Sequence, residues 1–209
     1  MHEEATLEVL SPADVGEAAA VLARAFRDNP GMIAMLDCDD PARRLRLLAA
    51  VFPGFVASYR QHGQASVVRV GGKLVAVALT LGPGRYPPSL RLQWGLTLAV
   101  ALHVPLRLAL RFSAADAWMK RNHMREAHHY LFMLGVEPER QGQGHGGMLL
   151  RELSARADAD AQPCYLETDK PSSVKLYERH GYVVLREANF VRARDLKLWF
   201  MQRAVPAQP

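Results

Sequence analysis

The chain has few cysteines and no long uninterrupted apolar run. Its 209 residues include two cysteines, Cys38 and Cys164, which are too few for a disulfide framework. The most apolar stretch, residues 90–112, is interrupted by His103 and Pro105, and its continuous part is shorter than the ~20 residues that a membrane-spanning helix needs. It predicts one or two buried helices broken near Pro105. Because no charged and then apolar leader opens the sequence, we expect a cytoplasmic protein with no membrane partner.

The sequence also lacks a cluster of basic residues, although it is basic overall. The formal net charge is +5 and the pI is near 9.5, but the arginines are scattered without interleaved aromatics, so no nucleic-acid partner is expected. A length of 209 residues with 49% hydrophobic residues suits one domain with a substantial core. We therefore expect a single domain over residues 1–209. No Cys/His group has metal-ligand spacing, so no metal is expected.

Periodicity predicts alternating strands and helices. Ser11 and Pro12 start a helix that runs to Phe26 and ends at residues 28–31. A second helix over residues 42–60 has a possible break at Pro53-Gly54. Gly71-Gly72 joins two strand-like runs as a hairpin. The remaining predicted elements are strands at 6–10, 66–70, 73–81, 164–167, 182–186 and 196–202, and a helix at 172–180.

The most informative segment that is present combines a strand, a glycine-dense loop and a helix. Residues 131–136 form an apolar strand-like run, 137–139 a proline turn, 140–146 the loop, and 148–157 a helix-like segment. Backbone N–H groups at a helix start lack internal partners and point one way, and the helix dipole adds positive charge there. Glycines let an anion approach the bare backbone. The loop is therefore predicted to bind a phosphorylated ligand.

Two familiar phosphate loops fit less well. A Walker A loop would need Lys-Ser/Thr where this loop continues as Gly147-Met148. A dinucleotide fingerprint fits Gly142, Gly144 and Gly147, and Glu167 lies near the distance expected of its acidic partner, so spacing alone does not dismiss it. The late position of the motif in the chain and the long turn before it count against this second interpretation.

The pattern that fits throughout is Val-x-Pro-x-x-Gln-x-x-Gly-x-Gly, formed by Val136, Pro138, Gln141, Gly144 and Gly146. It resembles the acyl-CoA-binding motif of the GNAT superfamily of N-acetyltransferases. Residues 163–168 and 176–182 resemble a later block of that superfamily, and residues 25–30 resemble an N-terminal element. The strongest motif region covers residues 128–187, and its motifs are closest to the branch that contains puromycin N-acetyltransferase.

The resemblance implies a fold and a reaction. The fold is a single-domain α/β GNAT fold, with a mixed central sheet of about six or seven strands flanked by helices. A helical insertion around residues 88–125 would stand where family members build the acceptor pocket. The implied reaction is acetyl transfer from acetyl-CoA to a primary amine of a small molecule by direct attack. The sequence does not report the oligomeric state, and a homodimer is possible. The sequence does not identify the acceptor.

The resemblance also assigns roles to residues. Tyr177 matches the family tyrosine near the thioester sulfur, where its hydroxyl could return a proton to the thiolate. Glu167 and His128 are the candidates for the general base, with a water chain as the alternative; His103, His123 and His129 are expected to be structural. Lys170 stands where the family often has asparagine. The predicted cofactor-binding residues are Leu134, Val136, Gln141, Gly142, Gln143, Gly144, His145, Gly146 and Lys170.

Two other functions remain open. A CoA-binding sensor or structural module would keep the fold without turnover. A protein N-terminal acetyltransferase would have a shallow open acceptor groove instead of an enclosed pocket.

Overall fold

The strands form one mixed sheet in the computed structural model, which describes residues 4–190 and 192–205. Within these residues there are seven strands, as the sequence predicted at the upper limit. They are β1 (Ala5–Val9), β2 (Gln64–Val70), β3 (Lys73–Leu81), β4 (His129–Val136), β5 (Cys164–Thr168), β6 (Val183–Phe190) and β7 (Leu196–Arg203). Their order is β1-β2-β3-β4-β5-β7-β6, and only β4 and β5 run parallel among these neighbours.

Helices cover both faces of the sheet, which confirms the predicted α/β fold. In the described residues they are α1 (Val15–Phe26), α2 (Pro30–Leu36), α3 (Pro41–His62), α4 (Leu90–His103), α5 (Leu106–Asn122), α6 (His145–Ala159) and α7 (Pro171–Glu178). Val67 of β2 packs in one core with Phe52 of α3, and its neighbour Val68 packs in the other core with Leu150 of α6. Because β2 is buried on both faces, it carries the consecutive apolar residues Val67 and Val68 where a half-exposed strand would alternate.

The turn after α1 starts a helix that the sequence did not predict. Residues 28–31 do end α1, but the Asn29 Oδ1 accepts a hydrogen bond from the Met32 N–H at 3.0 Å, and Pro30 occupies the first helical position. Asparagine and proline are thus the cap and first residue of α2 as well as the stop of α1. The Asn29-Pro30 dipeptide therefore marks both the end of α1 and the start of α2.

Buried Arg44 of α3 fixes this turn. Its guanidinium donates to the Arg27 carbonyl at 2.6 Å, to the Cys38 carbonyl at 2.8 Å and to the Asp28 carboxylate at 2.8 Å. Two carbonyls and one carboxylate therefore satisfy a charge that would be costly to bury alone. Asp28, in the N-terminal element that resembles the family, has a structural role in this chain.

The predicted break at Pro53-Gly54 is wrong, because α3 continues through both residues. Gly54 serves a helix contact: a Cβ atom at this position would lie 2.5 Å from the Ala99 Cβ of α4. The close approach of the two helices needs the glycine, and their packing outweighs the local tendency of the dipeptide to end a helix.

The apolar middle of the chain forms two helices separated at Pro105, as predicted, but they are only half-buried. Leu92, Val100 and Leu108 face the core, whereas a stripe of large apolar side chains is exposed. It consists of Leu90, Trp94, Leu98, Leu102, Leu106 and Leu110. The prediction of buried helices is wrong for this outer side, because α4 is apolar around most of its circumference and its sequence does not distinguish the two sides. Across the described ranges, no helix is both long enough and apolar enough to cross a bilayer.

Candidate active site

The glycine-dense loop forms a cradle between β4 and α6. After a 3₁₀ turn at Pro138–Arg140, Gly142 and Gly144 adopt φ values of +76° and +87°, and α6 begins at His145. Only glycine adopts this left-handed conformation at little cost. No atom lies within 4 Å of where a Cβ would stand at either glycine. The amides at the start of α6 therefore border open space, as an anion site requires.

The two glutamines of the loop brace it internally. The Gln141 side-chain amide donates to the Val136 carbonyl at 3.2 Å, and the Gln143 amide donates to the Glu139 carbonyl at 3.4 Å. Both bonds hold the turn that carries the glycines. Their side chains thus shape the cradle through backbone contacts.

His145 is the first residue of α6, and its ring is buried without a hydrogen-bond partner among the described residues. It is 7% exposed, and neither ring nitrogen has a hydrogen-bond partner among the described residues. Burial, and after it the charge of Arg140, lowers the pKa of His145, so the ring is neutral near pH 7. An unpaired buried donor and acceptor is costly. Its place in the cradle fits a polar group supplied by a bound ligand.

Strands β4 and β5 separate beyond a short parallel contact. Their pairing covers His129–Leu131 and Cys164–Leu166, and β4 then runs on to Val136 paired with β3 alone. Backbone groups of Leu134 and Val136 on the β5 side therefore face a gap. An amide-rich ligand arm could pair with such a strand edge.

The gap belongs to one cavity of about 950 Å³ that reaches from the cradle to the helices α4 and α5. Its lining includes ten of the twelve predicted site residues; Gln143 and His128 are the two that do not line it in the described structure. The ten are Leu134, Val136, Gln141, Gly142, Gly144, His145, Gly146, Glu167, Lys170 and Tyr177.

Tyr177 lies on α7 beside the gap and is 8% exposed. Burial, and after it the Asp169 carboxylate, raises the pKa of Tyr177 above its ordinary value. The phenol therefore stays protonated at neutral pH and can donate a proton. Asp169 is itself half-buried and accepts a hydrogen bond from the Asn29 side chain at 2.7 Å, which links α2 to this part of the site.

Glu167 lies next to the last residue of β5, at the same cavity, and begins a chain of buried polar groups. The Glu167 Oε1 lies 2.9 Å from the His123 Nδ1, and the His123 Nε2 lies 2.9 Å from the His128 Nε2. The His128 Nδ1 ends the chain on the Glu126 carbonyl at 2.7 Å. His128 is thus engaged at both nitrogens, and burial lowers its pKa.

His123 is the functional candidate that the sequence interpretation missed. It was expected to be structural, yet it joins the two candidate bases, Glu167 and His128. The available signal was the presence of three histidines, His123, His128 and His129, at or just before the start of the strand that leads to the cradle. The connection itself depends on the fold, because 44 residues separate His123 from Glu167.

The far end of the cavity is aromatic and apolar. Side chains from α2, α3, α5 and β4 line it, and Asp116 adds a carboxylate, which pairs with Lys120 at 2.7 Å. Neither cysteine lines the cavity, and both are buried. The apolar lining residues include Met32, Met35, Phe55, Tyr59, Tyr86, Phe112, Trp118 and Phe132. In the described part of the chain, no group of His, Cys, Asp or Glu is placed to hold a metal ion.

Known proteins resemble this chain in sequence and fold. Residues 113–184 match the acetyltransferase (GNAT) domain family. A Corynebacterium glutamicum structure, described as histone acetyltransferase HPA2 and related acetyltransferase, is 26% identical, covers 100% of this chain and 99% of its own, and superposes with a TM-score of 0.71.

Two more distant structures share the fold. Arylalkylamine N-acetyltransferase 2 from Aedes aegypti is 12% identical, with 97% of this chain and 99% of that one covered and a TM-score of 0.64. The ribosomal-protein-S18-alanine N-acetyltransferase from Escherichia coli is 15% identical, with 99% and 97% covered and a TM-score of 0.56. The family match over residues 113–184 and the Corynebacterium likeness agree with the cradle, the strand gap and Tyr177: the chain carries a GNAT N-acetyltransferase domain, an acyltransferase domain, within a GNAT-like fold.

Proposed function

We propose that the protein transfers an acetyl group from acetyl-CoA to the primary amine of a small molecule by direct attack. The observation that carries this proposal is that one cavity joins the cradle, the strand gap, Tyr177 and Glu167. The motif likeness to the puromycin N-acetyltransferase branch, a homodimer and a cytoplasmic location stay predictions of the sequence.

The cradle and the gap would hold acetyl-CoA, which would supply the acetyl group as a thioester. Amides around Gly142, Gly144 and His145 suit the diphosphate. Backbone groups of Leu134 and Val136 suit the pantetheine amides. The unpaired His145 ring supports this fit, because it is a buried polar group left without a partner by the rest of the described chain.

Tyr177 and Glu167 would handle the protons of the reaction. As the amine nitrogen forms its bond to the acetyl carbon and the carbon–sulfur bond breaks, Tyr177 gives its proton to the sulfur. Glu167 takes the first proton, from the incoming ammonium group, before the attack. The second proton of the nitrogen, released as the amide forms, replaces the proton that Tyr177 gives to the sulfur. The cysteines Cys38 and Cys164 lie outside the cavity lining, and burial raises the pKa of Cys164. These positions support direct attack over transfer through an acyl-cysteine.

The acceptor end favours an amine with an aromatic or bulky apolar body. Aromatic rings bury large areas and select planar apolar groups. Leu96 and Val100 of α4 and Phe112 and Trp118 of α5 give this end of the cavity apolar walls, which favour a small molecule with an apolar body over a protein N-terminus. The likeness in fold to an arylalkylamine acetyltransferase is consistent with this substrate class.

A thiol-release assay with a panel of amines tests the proposal. The panel contains arylalkylamines, aminonucleosides, polyamines and amino acids, and calorimetry measures acetyl-CoA binding in parallel. We expect acetyl-CoA to bind and arylalkylamines to release CoA with the highest kcat/KM. Binding of acetyl-CoA without release of CoA by any amine would support the sensor function instead, and absence of binding would refute both.

A further inference from the structure

The buried chain Glu167–His123–His128–Glu126 contains more hydrogen bonds than its usual protons can supply. Three consecutive contacts of 2.7–2.9 Å each need one proton. A carbonyl only accepts, so the His128 Nδ1 must carry the proton of the last bond. Two neutral imidazoles and a carboxylate bring two protons in total. The chain as it stands therefore requires a third.

The position of the third proton follows from the surroundings. Burial lowers the pKa of His128 and disfavours its charged form. His123 stacks on the Tyr86 ring, with centroids 3.3 Å apart, and an aromatic face stabilises a cation. His123 then donates from Nε2 to His128 and from Nδ1 to Glu167. The two groups form a buried ion pair, since their side chains are 1% and 4% exposed.

We propose that the resting protein holds one extra proton on this chain, as a His123 imidazolium paired with an ionised Glu167. His123 is on this view a positioning residue that keeps the Glu167 carboxylate ready to accept the proton of the acceptor amine. His128 sets the tautomer, because its bond to the Glu126 carbonyl leaves its Nε2 as an acceptor. This inference rests on the proposed function for its role in catalysis, but not for the existence of the extra proton.

Every neighbouring element contributes groups that bear on this charge. Burial, and after it the Glu167 carboxylate, raises the pKa of Tyr130 and Tyr165, so both phenols remain neutral next to the pair. Charges further out act on the neighbouring tyrosines and have opposite signs: Arg186 of β6 near Tyr165, and Asp116 of α5 near Tyr86. The titratable and charged groups around His123 are Tyr86, Asp116, His128, Tyr130, Tyr165, Glu167 and Arg186.

Transfer of the amine proton leaves the charge of the cavity unchanged. The acceptor enters as an ammonium ion, and its proton moves to Glu167 while His123 keeps its own. The positive charge then resides on His123, over the Tyr86 ring, and the amine becomes a neutral nucleophile. Without His123, the nearly buried Glu167 would lose the hydrogen bond and the positive charge that hold its carboxylate ready to accept a proton.

Nitrogen-15 NMR of the histidine rings tests the extra proton without any acetyl transfer. In the full-length protein at pH 7 we expect His123 to show two protonated ring nitrogens and His128 one. In His128→Phe, which keeps an aromatic ring in the core, the His123 Nε2 loses its acceptor, and we expect it to become unprotonated. A His123 ring with one bare nitrogen in the wild type between pH 6 and pH 8 would overturn the proposal.

The pH profile of kcat/KM tests the role in catalysis. We expect His123→Asn to lower kcat/KM at pH 7 about tenfold or more, and to raise the pH of half-maximal kcat/KM, so that part of the activity returns as the pH rises. His129→Asn is the matched control: it removes a buried histidine of β4 that pairs with Asp160 at 2.9 Å, and it should leave the profile in place.

Three results separate the possible failures. An equal loss at every pH in His123→Asn would mean that His123 only supports the fold, and would overturn the positioning role. A doubly protonated His123 in a protein that acetylates no amine would refute the proposed function while the extra proton stands. If the pH profile of kcat/KM shifts as much in His129→Asn as in His123→Asn, the positioning role of His123 is also wrong.

Discussion

At the scale of single residues, the hydroxyl of Tyr177 makes a sharp prediction. Tyr177→Phe removes the proton that the leaving sulfur needs while keeping the ring packed among its neighbours. We expect kcat to fall about 100-fold, a typical size for loss of a general acid, with acetyl-CoA affinity within about twofold of the wild type. Steady-state thiol release and calorimetry measure the two quantities.

Tyr182→Phe is the control for this change. Tyr182 is 1% exposed, and its ring lies 5.7 Å from the Tyr177 ring, but it does not line the cavity. The Tyr182→Phe variant should keep kcat close to the wild-type value. If both variants lose kcat to the same extent, the effect comes from packing around α7, and the acid role of Tyr177 is wrong.

Gly144 tests the cradle at the same scale. Gly144→Val places a branched side chain in the open space of the loop and disfavours the φ of +87° there. We expect acetyl-CoA to bind at least about tenfold more weakly, as measured by calorimetry. Gly72→Val on the β2–β3 turn is the matched control, since its φ is +77° and its surroundings are also open. We expect both variants to lose thermal stability to a similar extent, and only Gly144→Val to lose affinity for acetyl-CoA.

Single residues also show where sequence reasoning ends. Gly142 and Gly144 could be placed in a cradle because a strand, a glycine loop and a helix follow one another along the chain, so the geometry is local. The partnership of His123 and Glu167 spans two strands and a helix. No periodicity or spacing reports which side chains a sheet brings together, and His123 therefore received the ordinary structural interpretation.

At the scale of elements, helices α3 and α4 pack through small residues. A Cβ at Gly54 would meet the Ala99 side chain at 2.5 Å. Gly54→Ala should therefore lower the free energy of unfolding by about 1–3 kcal/mol, the usual cost of overpacking. Gly16→Ala is the control, because Gly16 lies in α1 with nothing within 4 Å. Gly16→Ala should raise the free energy of unfolding by about 0.5–1 kcal/mol.

Urea denaturation of both variants checks the pair. A stabilised Gly54→Ala would mean that α4 shifts away at little cost, and it would contradict the close contact of the two helices.

The elements that the sequence predicted well are those with local signals. The β2–β3 hairpin follows from Gly71-Gly72, and the division of α4 from α5 follows from Pro105. The predictions that were wrong or incomplete, by contrast, depend on tertiary packing or on a local pattern with two possible outcomes. Pro53 stays inside α3 because α4 packs against the next residue. Residues 28–31 have the pattern of a helix end, but the Asn29 side chain also caps the next helix, α2.

At the scale of the whole molecule, three buried histidines and one half-buried histidine make stability depend on pH. Burial is the main cause that lowers the pKa of each from the ordinary value of 6.5. The unfolded chain therefore binds more protons than the folded protein once the pH falls below about 6.5. Their contribution to stability is complete above that pH and is lost as the pH falls. The four histidines are His128, His129, His145 and His180.

We therefore expect the free energy of unfolding to decrease steadily from pH 7 to pH 5, as measured by urea denaturation at constant ionic strength. Carboxylates such as Asp28 and Asp158, whose pKa ion pairing lowers, give up their contribution only near pH 4 and below, so this window isolates the histidines. Asp169, whose pKa burial raises, and the proposed His123 imidazolium oppose the trend, two groups against four. His129→Asn should flatten the slope by removing one of the four protons taken up on unfolding. A free energy that stays constant down to pH 5 would mean that water or local opening reaches these rings and that their burial carries no penalty.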